Sequence, residues 1–216
     1  MSEVSTEITN EIFRYIAEHT TPEDEFLKEL KRAAVAAGIP SIWIAPEQAS
    51  FMRILLRLAR ARDVIEVGTL AGYSAISMAR ALPPEGSVRT IELDPQHAEF
   101  AERWIARSDV AGRVQVLRGA GMDVLPKLAA DSADAAFLDA DKASYPRYLA
   151  ECLRIVRKGG LIMVDNALAF GQLLDPKAND REVPAVRAFN DHIVKVRELE
   201  SVIVPLGDGL WVGVRR

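Results

Sequence analysis

The chain has 216 residues, 49% hydrophobic and 27% charged, which is enough to build one sizeable globular domain and gives no sign of two. Its 31 acidic and 27 basic residues leave a formal charge of −4 spread along the sequence, so the basic footprint of a nucleic-acid binder is absent; a single cysteine, Cys152, excludes an internal disulfide and a thiolate metal set. No apolar run approaches the ~18 residues of a membrane span, and the opening MSEVSTEITNEIFRYI is acidic and polar where a leader needs a basic start and an apolar block, so a soluble cytoplasmic protein is expected.

Residues 1–61 read as helical. Ile8, Ile12, Tyr15 and Ile16 share one helical face. Thr21-Pro22 predicts the cap and first turn of a second helix, which Gly38 and Pro40 end. Phe51, Ile54, Leu55 and Leu58 mark the apolar face of a third, with Arg53, Arg57 and Arg60 forming a solvated row.

From Asp63 the period changes. Short β-branched or apolar runs at 64–68, 87–94, 113–119, 135–141 and 160–166 alternate with helical patterns at 73–82, 95–108, 121–130 and 145–157. Strand alternating with helix implies right-handed crossovers and an α/β fold whose parallel sheet is covered by helices on both faces. A helix near 182–195 and strands at 197–206 and 209–215 close the chain; Gly207-Asp208-Gly209 between those strands predicts a hairpin, making the last strand antiparallel to its neighbour.

Ligands of such sheets sit beyond the carboxyl ends of the strands. The first strand ends in Glu66-Val67-Gly68-Thr69-Leu70-Ala71-Gly72-Tyr73-Ser74, where glycine permits a tight turn and close approach to backbone; a bland turn explains the same glycines. Glu92 ends the second strand, where an acid can accept hydrogen bonds from two ribose hydroxyls. Together they imply an adenosine-containing ligand, without separating NAD from S-adenosylmethionine. After the third strand, Gly119-Ala120-Gly121-Met122-Asp123 leaves room for a flat base under Met122, or is simply a helix entry. FLDADK and VDN then put Asp139, Asp141 and Lys142 at one strand end and Asp165-Asn166 at the next. Two carboxylates and an amide oxygen suit a hard divalent cation; helix capping and a Lys142–Asp141 pair are the plainer reading.

EVGTLAGYS, IELDP, FLDADK and VDN resemble, in order and approximate spacing, the signatures of the cation-dependent O-methyltransferases that include the catechol and caffeoyl-CoA enzymes. IAPEQASF (44–51) and PLGDGLWVG also match, so the likeness covers roughly residues 40–216. It implies one Rossmann-like class I methyltransferase domain over 1–216, with a mostly parallel seven-stranded sheet and residues 1–61 forming a cap at the substrate mouth. It further implies S-adenosylmethionine as methyl donor, Mg²⁺ (or Mn²⁺ or Ca²⁺ in its place), a catechol-like small-molecule acceptor and a homodimer. Residue by residue, Asp139, Asp165 and Asn166 fall on the metal ligands and Lys142 on the general base. Glu92 falls on the ribose acid, and Glu66, Gly68, Leu70, Tyr73 and Ser74 fall in the cofactor turn; Ala120, Asp139 and Asp141 complete the cofactor set. The chain departs from many relatives after VDN: Ala169 stands where they have tryptophan, so stacking on the acceptor moves to Phe170 or is lost. Met122 also replaces the glutamine of the mammalian catechol enzyme, and Trp43 is a candidate for the pocket wall. His19, His97 and His192 read as surface or capping residues, and Trp104 and Trp211 as core. Two rivals remain at this point: an NAD-dependent oxidoreductase, which leaves Lys142 and the Asp165-Asn166 pair without a task, and a non-catalytic nucleoside-binding protein on the same fold.

Overall fold

The computed structural model describes residues 7–216; Met1–Thr6, part of the opening stretch read as free of a leader, lie outside the described residues. Three helices, α1 (Asn10–Glu18), α2 (Glu25–Ala36) and α3 (Pro46–Leu58), precede the first strand. The entry of α2 differs from the Thr21-Pro22 expectation: Asp24 is its cap, the carboxylate accepting a hydrogen bond from Leu27 N at 3.0 Å, and an acid there meets the exposed amides of the first turn. The face of α3 also differs. Met52 and Leu56 are fully buried and Phe51 and Leu55 pack against the same core, whereas Ile54 and Leu58 are 50% and 76% exposed, and the buried Gln48 of the first turn reaches Asp165 at a strand end. Arg53 and Arg57 line an open groove with Asp24, Arg80 and Asp109, a polar face as expected.

The strands are β1 (Asp63–Val67), β2 (Ser87–Glu92), β3 (Val114–Arg118), β4 (Ala133–Leu138), β5 (Val156–Val164), β6 (Leu199–Val204) and β7 (Leu210–Arg215), in the order β3-β2-β1-β4-β5-β7-β6. β1 to β5 pair in parallel, and β7 inserts antiparallel between β5 and β6. The order reverses between β1 and β4, where a doubly wound sheet opens its crevice.

Helices α4 (Tyr73–Ala79), α5 (Pro95–Arg107), α6 (Gly121–Val124), α7 (Tyr145–Ile155) and α8 (Val183–Ile193) connect the strands. The pattern read as one helix over 121–130 is a single α-turn followed by a 3-10 turn, Leu125–Lys127, because Pro126 has no amide to continue the ladder. Alternation along the strands divides the core. Val64, Ala135, Phe137, Leu161 and Met163 pack with α2 to α5, while Ile65, Val67, Ala136, Leu138, Ile162 and Val164 pack with α7 and α8. Both sheet faces are therefore covered, and Trp104 and Trp211 are core residues as read. No helix among the described residues is long and apolar enough to cross a membrane.

Candidate active site

Strands β4 and β5 stop at Leu138 and Val164, one residue short of Asp139 and Asp165, so the charged residues leave the sheet just as its ladder ends. A cavity of about 960 Å³ opens there, over the carboxyl ends of β1, β2, β3, β4 and β5.

On the β1 side the wall is the glycine turn. Gly68 has φ +101°, and a Cβ added to it would lie 1.9 Å from the Asp139 carbonyl oxygen; only glycine lets the two strand ends touch at the switch point. Glu92 ties this turn down: Oε2 accepts from Thr69 N (3.1 Å) and Leu70 N (2.8 Å), and Oε1 from Asp94 N (2.9 Å). A carboxylate has about four acceptor sites, and with three taken about one remains open to a ribose hydroxyl. Leu70, Tyr73, Ser74, Ala120 and Met122 line the same cavity. Glu66 does not line it. It is wholly buried behind Ser74, whose hydroxyl donates to Oε1 at 2.5 Å, while Oε2 has no partner. Burial pushes its carboxyl up to about 8, with the Ser74 bond only partly offsetting. It meets the cavity only through Ser74, which lines it.

On the β4–β5 side, Lys142 is 5% exposed and begins a 3-10 turn after Asp141. Its Nζ donates to Asp139 Oδ1 (3.1 Å) and to the Tyr145 hydroxyl (2.8 Å). Burial first, then the charges of Asp139, Asp165 and Glu182, hold the Tyr145 hydroxyl well above its usual range, so it meets Lys142 as a neutral acceptor. The plainer pairing of Lys142 with Asp141 is not what forms; Asp141 instead accepts from the Tyr148 hydroxyl at 2.6 Å, on the cavity wall near Met122.

Asp165 is buried, and desolvation followed by the Asp139 charge raises its carboxyl to about 7. Two anions forced together in this way favour any cation placed between them. Gln48 Nε2 donates to Asp165 Oδ1 at 2.6 Å, and Asn166 Nδ2 donates to Asp208 Oδ2 at 3.0 Å, which leaves Asp165 Oδ2 and the Asn166 amide oxygen without a side-chain donor among the described residues. No three His, Cys, Asp or Glu residues converge as a metal site among the described residues, so a cation here would have to recruit the Asn166 amide oxygen. Asp139, Asp165 and Asn166 together offer only oxygen donors, and that chemistry fits a hard divalent ion.

Trp43 and Phe170 both line the cavity, as do Ile42, Arg147, Asp180 and Glu182. His97, read as a capping or surface residue, also faces it, with Nδ1 3.8 Å from Glu92 Oε1. The sequence named the segment holding Gln48 but not the residue, read Asp208 only as part of a hairpin turn, and gave no role to Tyr145. The IAPEQ and GDG matches were the only signals for the first two, and nothing in the pattern marked the third.

A sheet ordered 3-2-1-4-5-7-6 with an antiparallel β7, a glycine turn facing β4 and an acid ending β2 define a Rossmann-like, S-adenosylmethionine-dependent methyltransferase. The chain matches the O-methyltransferase family over residues 17–216 and belongs to it. It is 38% identical, over 87% of its length and 86% of the relative's, to a catechol O-methyltransferase of Niastella koreensis. Among solved structures, it superposes on a Bacillus cereus O-methyltransferase in complex with SAH with a TM-score of 0.85, at 30% identity and coverage of 95% and 97% of the two chains. For TomG of Streptomyces achromogenes, an O-methyltransferase of tomaymycin synthesis in complex with SAM, the TM-score is 0.82 at 31% identity, with coverage of 95% and 96%. Family membership displaces both rivals, the NAD-dependent oxidoreductase and the non-catalytic binder.

Proposed function

We propose that the enzyme moves the methyl group of S-adenosylmethionine to one hydroxyl of a catechol-like small molecule, with a divalent cation held by Asp139, Asp165 and Asn166. The observation that carries this reading is Asp139, Lys142 and Asn166 in the wall of the same cavity as Glu92 and the glycine turn, with the buried Asp165 carboxyl set against Asp139 behind them. The name of the Niastella koreensis relative supports the acceptor class. A bound Mg²⁺, Mn²⁺ or Ca²⁺ would supply Lewis acidity, lowering the pKa of the acceptor hydroxyl.

The protein's own groups do the rest. Glu92 takes a ribose hydroxyl, the turn at Gly68, Leu70, Tyr73 and Ser74 receives the methionine end, and Ala120, Met122 and Asp141 bound the base. Lys142 Nζ, held between Asp139 and Tyr145, receives the hydroxyl proton or anchors the phenolate. Trp43 and Phe170 flank the acceptor ring and exclude water, which makes residues 1–61 part of the mouth of one methyltransferase domain. Homodimerisation belongs to the same proposal, and light scattering on the purified protein tests it.

The deciding experiment is methyl transfer to a panel of vicinal diphenols, read by mass spectrometry, before and after chelation. Activity should vanish in EDTA and return with Mg²⁺ or Mn²⁺. Full activity in EDTA overturns the cation; products only from isolated hydroxyls overturn the acceptor class.

A further inference from the structure

The turn between β6 and β7 lies far along the chain from the strand ends, yet it meets both Asn166 and the Gln48 that bonds Asp165. Asp208 Oδ2 accepts from Asn166 Nδ2 (3.0 Å) and from Phe170 N (2.9 Å). A carboxylate only accepts, so the nitrogen of the Asn166 amide has to face it, and the amide oxygen has to point the other way. Backbone bonds lock the same two segments together: Ala167 N donates to Gly209 O and Leu168 N to Asp208 O, both at 2.9 Å. Asn166, Ala169 and Phe170 all adopt positive φ (63°, 52° and 58°), which non-glycine residues hold only when the surroundings fix them.

The neighbouring residue meets the partner of Asp165. Gly207 presses on Gln48 so closely that an added Cβ would come 2.2 Å from Gln48 Oε1. Gln48, 1% exposed in that tight packing, donates Nε2 to Asp165 Oδ1 at 2.6 Å; a carboxylate only accepts, so the amide nitrogen has to face it. The turn thus orients Asn166 directly through Asp208 and packs against Gln48, which itself bonds Asp165.

We propose that Asp208 and Gln48 are positioning residues for a divalent-cation site: Asp208 presents the oxygen of Asn166 and Gln48 presents the free oxygen of Asp165. This rests on the cation reading above. Without Asp208 the Asn166 amide can rotate and offer its NH₂ to the cation, which repels rather than binds, and the loop carrying Phe170 loses its anchor. Outer partners of this kind are worth about 10–100-fold in metal affinity.

The test is calorimetric titration of the full-length, chelator-stripped protein with Mn²⁺, alongside the low-temperature EPR signal of the bound ion, in wild type, Asp208→Ala, Asp208→Asn and Gln48→Ala. S-adenosylhomocysteine affinity and Tm serve as controls. Asp208→Ala should weaken Mn²⁺ binding about 10–100-fold and broaden the EPR signal while leaving S-adenosylhomocysteine affinity unchanged. Asp208→Asn should recover most of the loss, because its amide oxygen can accept the same two hydrogen bonds. Gln48→Ala should weaken Mn²⁺ binding in the same direction, and it carries the test if Asp208→Ala does not fold. Wild-type affinity in Asp208→Ala, or in Gln48→Ala where that variant stands in, overturns the proposal. So does an Asn variant as weak as the Ala variant, which would make the effect one of charge. A wild type that binds no Mn²⁺ removes the cation reading itself, and the proposal with it.

Discussion

Lys142 Nζ lies in the cavity wall within hydrogen-bond distance of one carboxylate and one neutral hydroxyl, where its neutral amine can take the proton of a bound acceptor and its ammonium can anchor the phenolate. Lys142→Ala should therefore lower kcat about 10²–10⁴-fold while leaving S-adenosylhomocysteine affinity almost untouched, and steady-state kinetics with calorimetry read the two apart. An unchanged kcat would remove the lysine from the chemistry. Gly68→Ala tests geometry instead. The new methyl group would have to displace the Asp139 carbonyl, so stability should fall by more than about 2 kcal/mol in urea unfolding, and cofactor binding should fall with it. Wild-type stability in that variant would mean that β1 and β4 separate at no cost. These residues were legible in the sequence because each carries a rare requirement: glycine at a strand end, or charges directly after an apolar run. Gln48 and Asp208 were not, because their partners lie 117 and 42 residues away and only the folded sheet brings them together.

At the level of elements, β1, β2, β4 and β5 were readable because their apolar runs end buried on both faces, while the edge strands β3 and β6 were readable from their β-branched residues. Helix edges were less so. The cap of α2 moved to Asp24 because a side-chain bond to Leu27 N, invisible to periodicity, outweighs the Thr21-Pro22 signal. The inward face of α3 was half legible: Phe51 and Leu55 pack on the core as read, but Met52 and Leu56 form its buried centre while Ile54 and Leu58 face outward. The three N-terminal helices also differ in what they contribute. α2 buries Leu27, Leu30 and Ala34, whereas α1 buries no residue. Leu30→Ala should cost about 2–5 kcal/mol, and deletion of residues 1–19 should cost less than that substitution, with urea unfolding measuring both. A deletion as damaging as Leu30→Ala would mean that α1 is docked far more tightly than its exposure indicates.

For the molecule as a whole, the cavity spans the switch point, so a ligand that fills it ties the β1–β3 half of the sheet to the β4–β5 half. S-adenosylhomocysteine at 100 times its Kd should add about 2.7 kcal/mol of stability and raise Tm by several degrees, while NAD at the same concentration should not; equal shifts would contradict the methyl-donor assignment. Protons are a second ligand of the whole fold. Glu66 titrates near 4.5 when unfolded and is pushed up to about 8 by burial when folded, so between these limits the folded state holds a proton that unfolding releases. Stability must then fall as pH rises through that window, by at most about 1.4 kcal/mol per pH unit for this one group, and the loss is complete above the folded value. Asp165, raised to about 7, slopes the same way in the cation-free protein, so the wild-type curve alone cannot isolate Glu66. Glu66→Gln can, because glutamine stays neutral throughout and still accepts from Ser74 through its amide oxygen. In EDTA, the stability of Glu66→Gln relative to wild type should improve from about pH 5 to about pH 8.5, read as urea midpoints at the two values. Parallel curves would mean that Glu66 is already ionised in the folded protein, and its unpartnered Oε2 would then need a cation or donor close by.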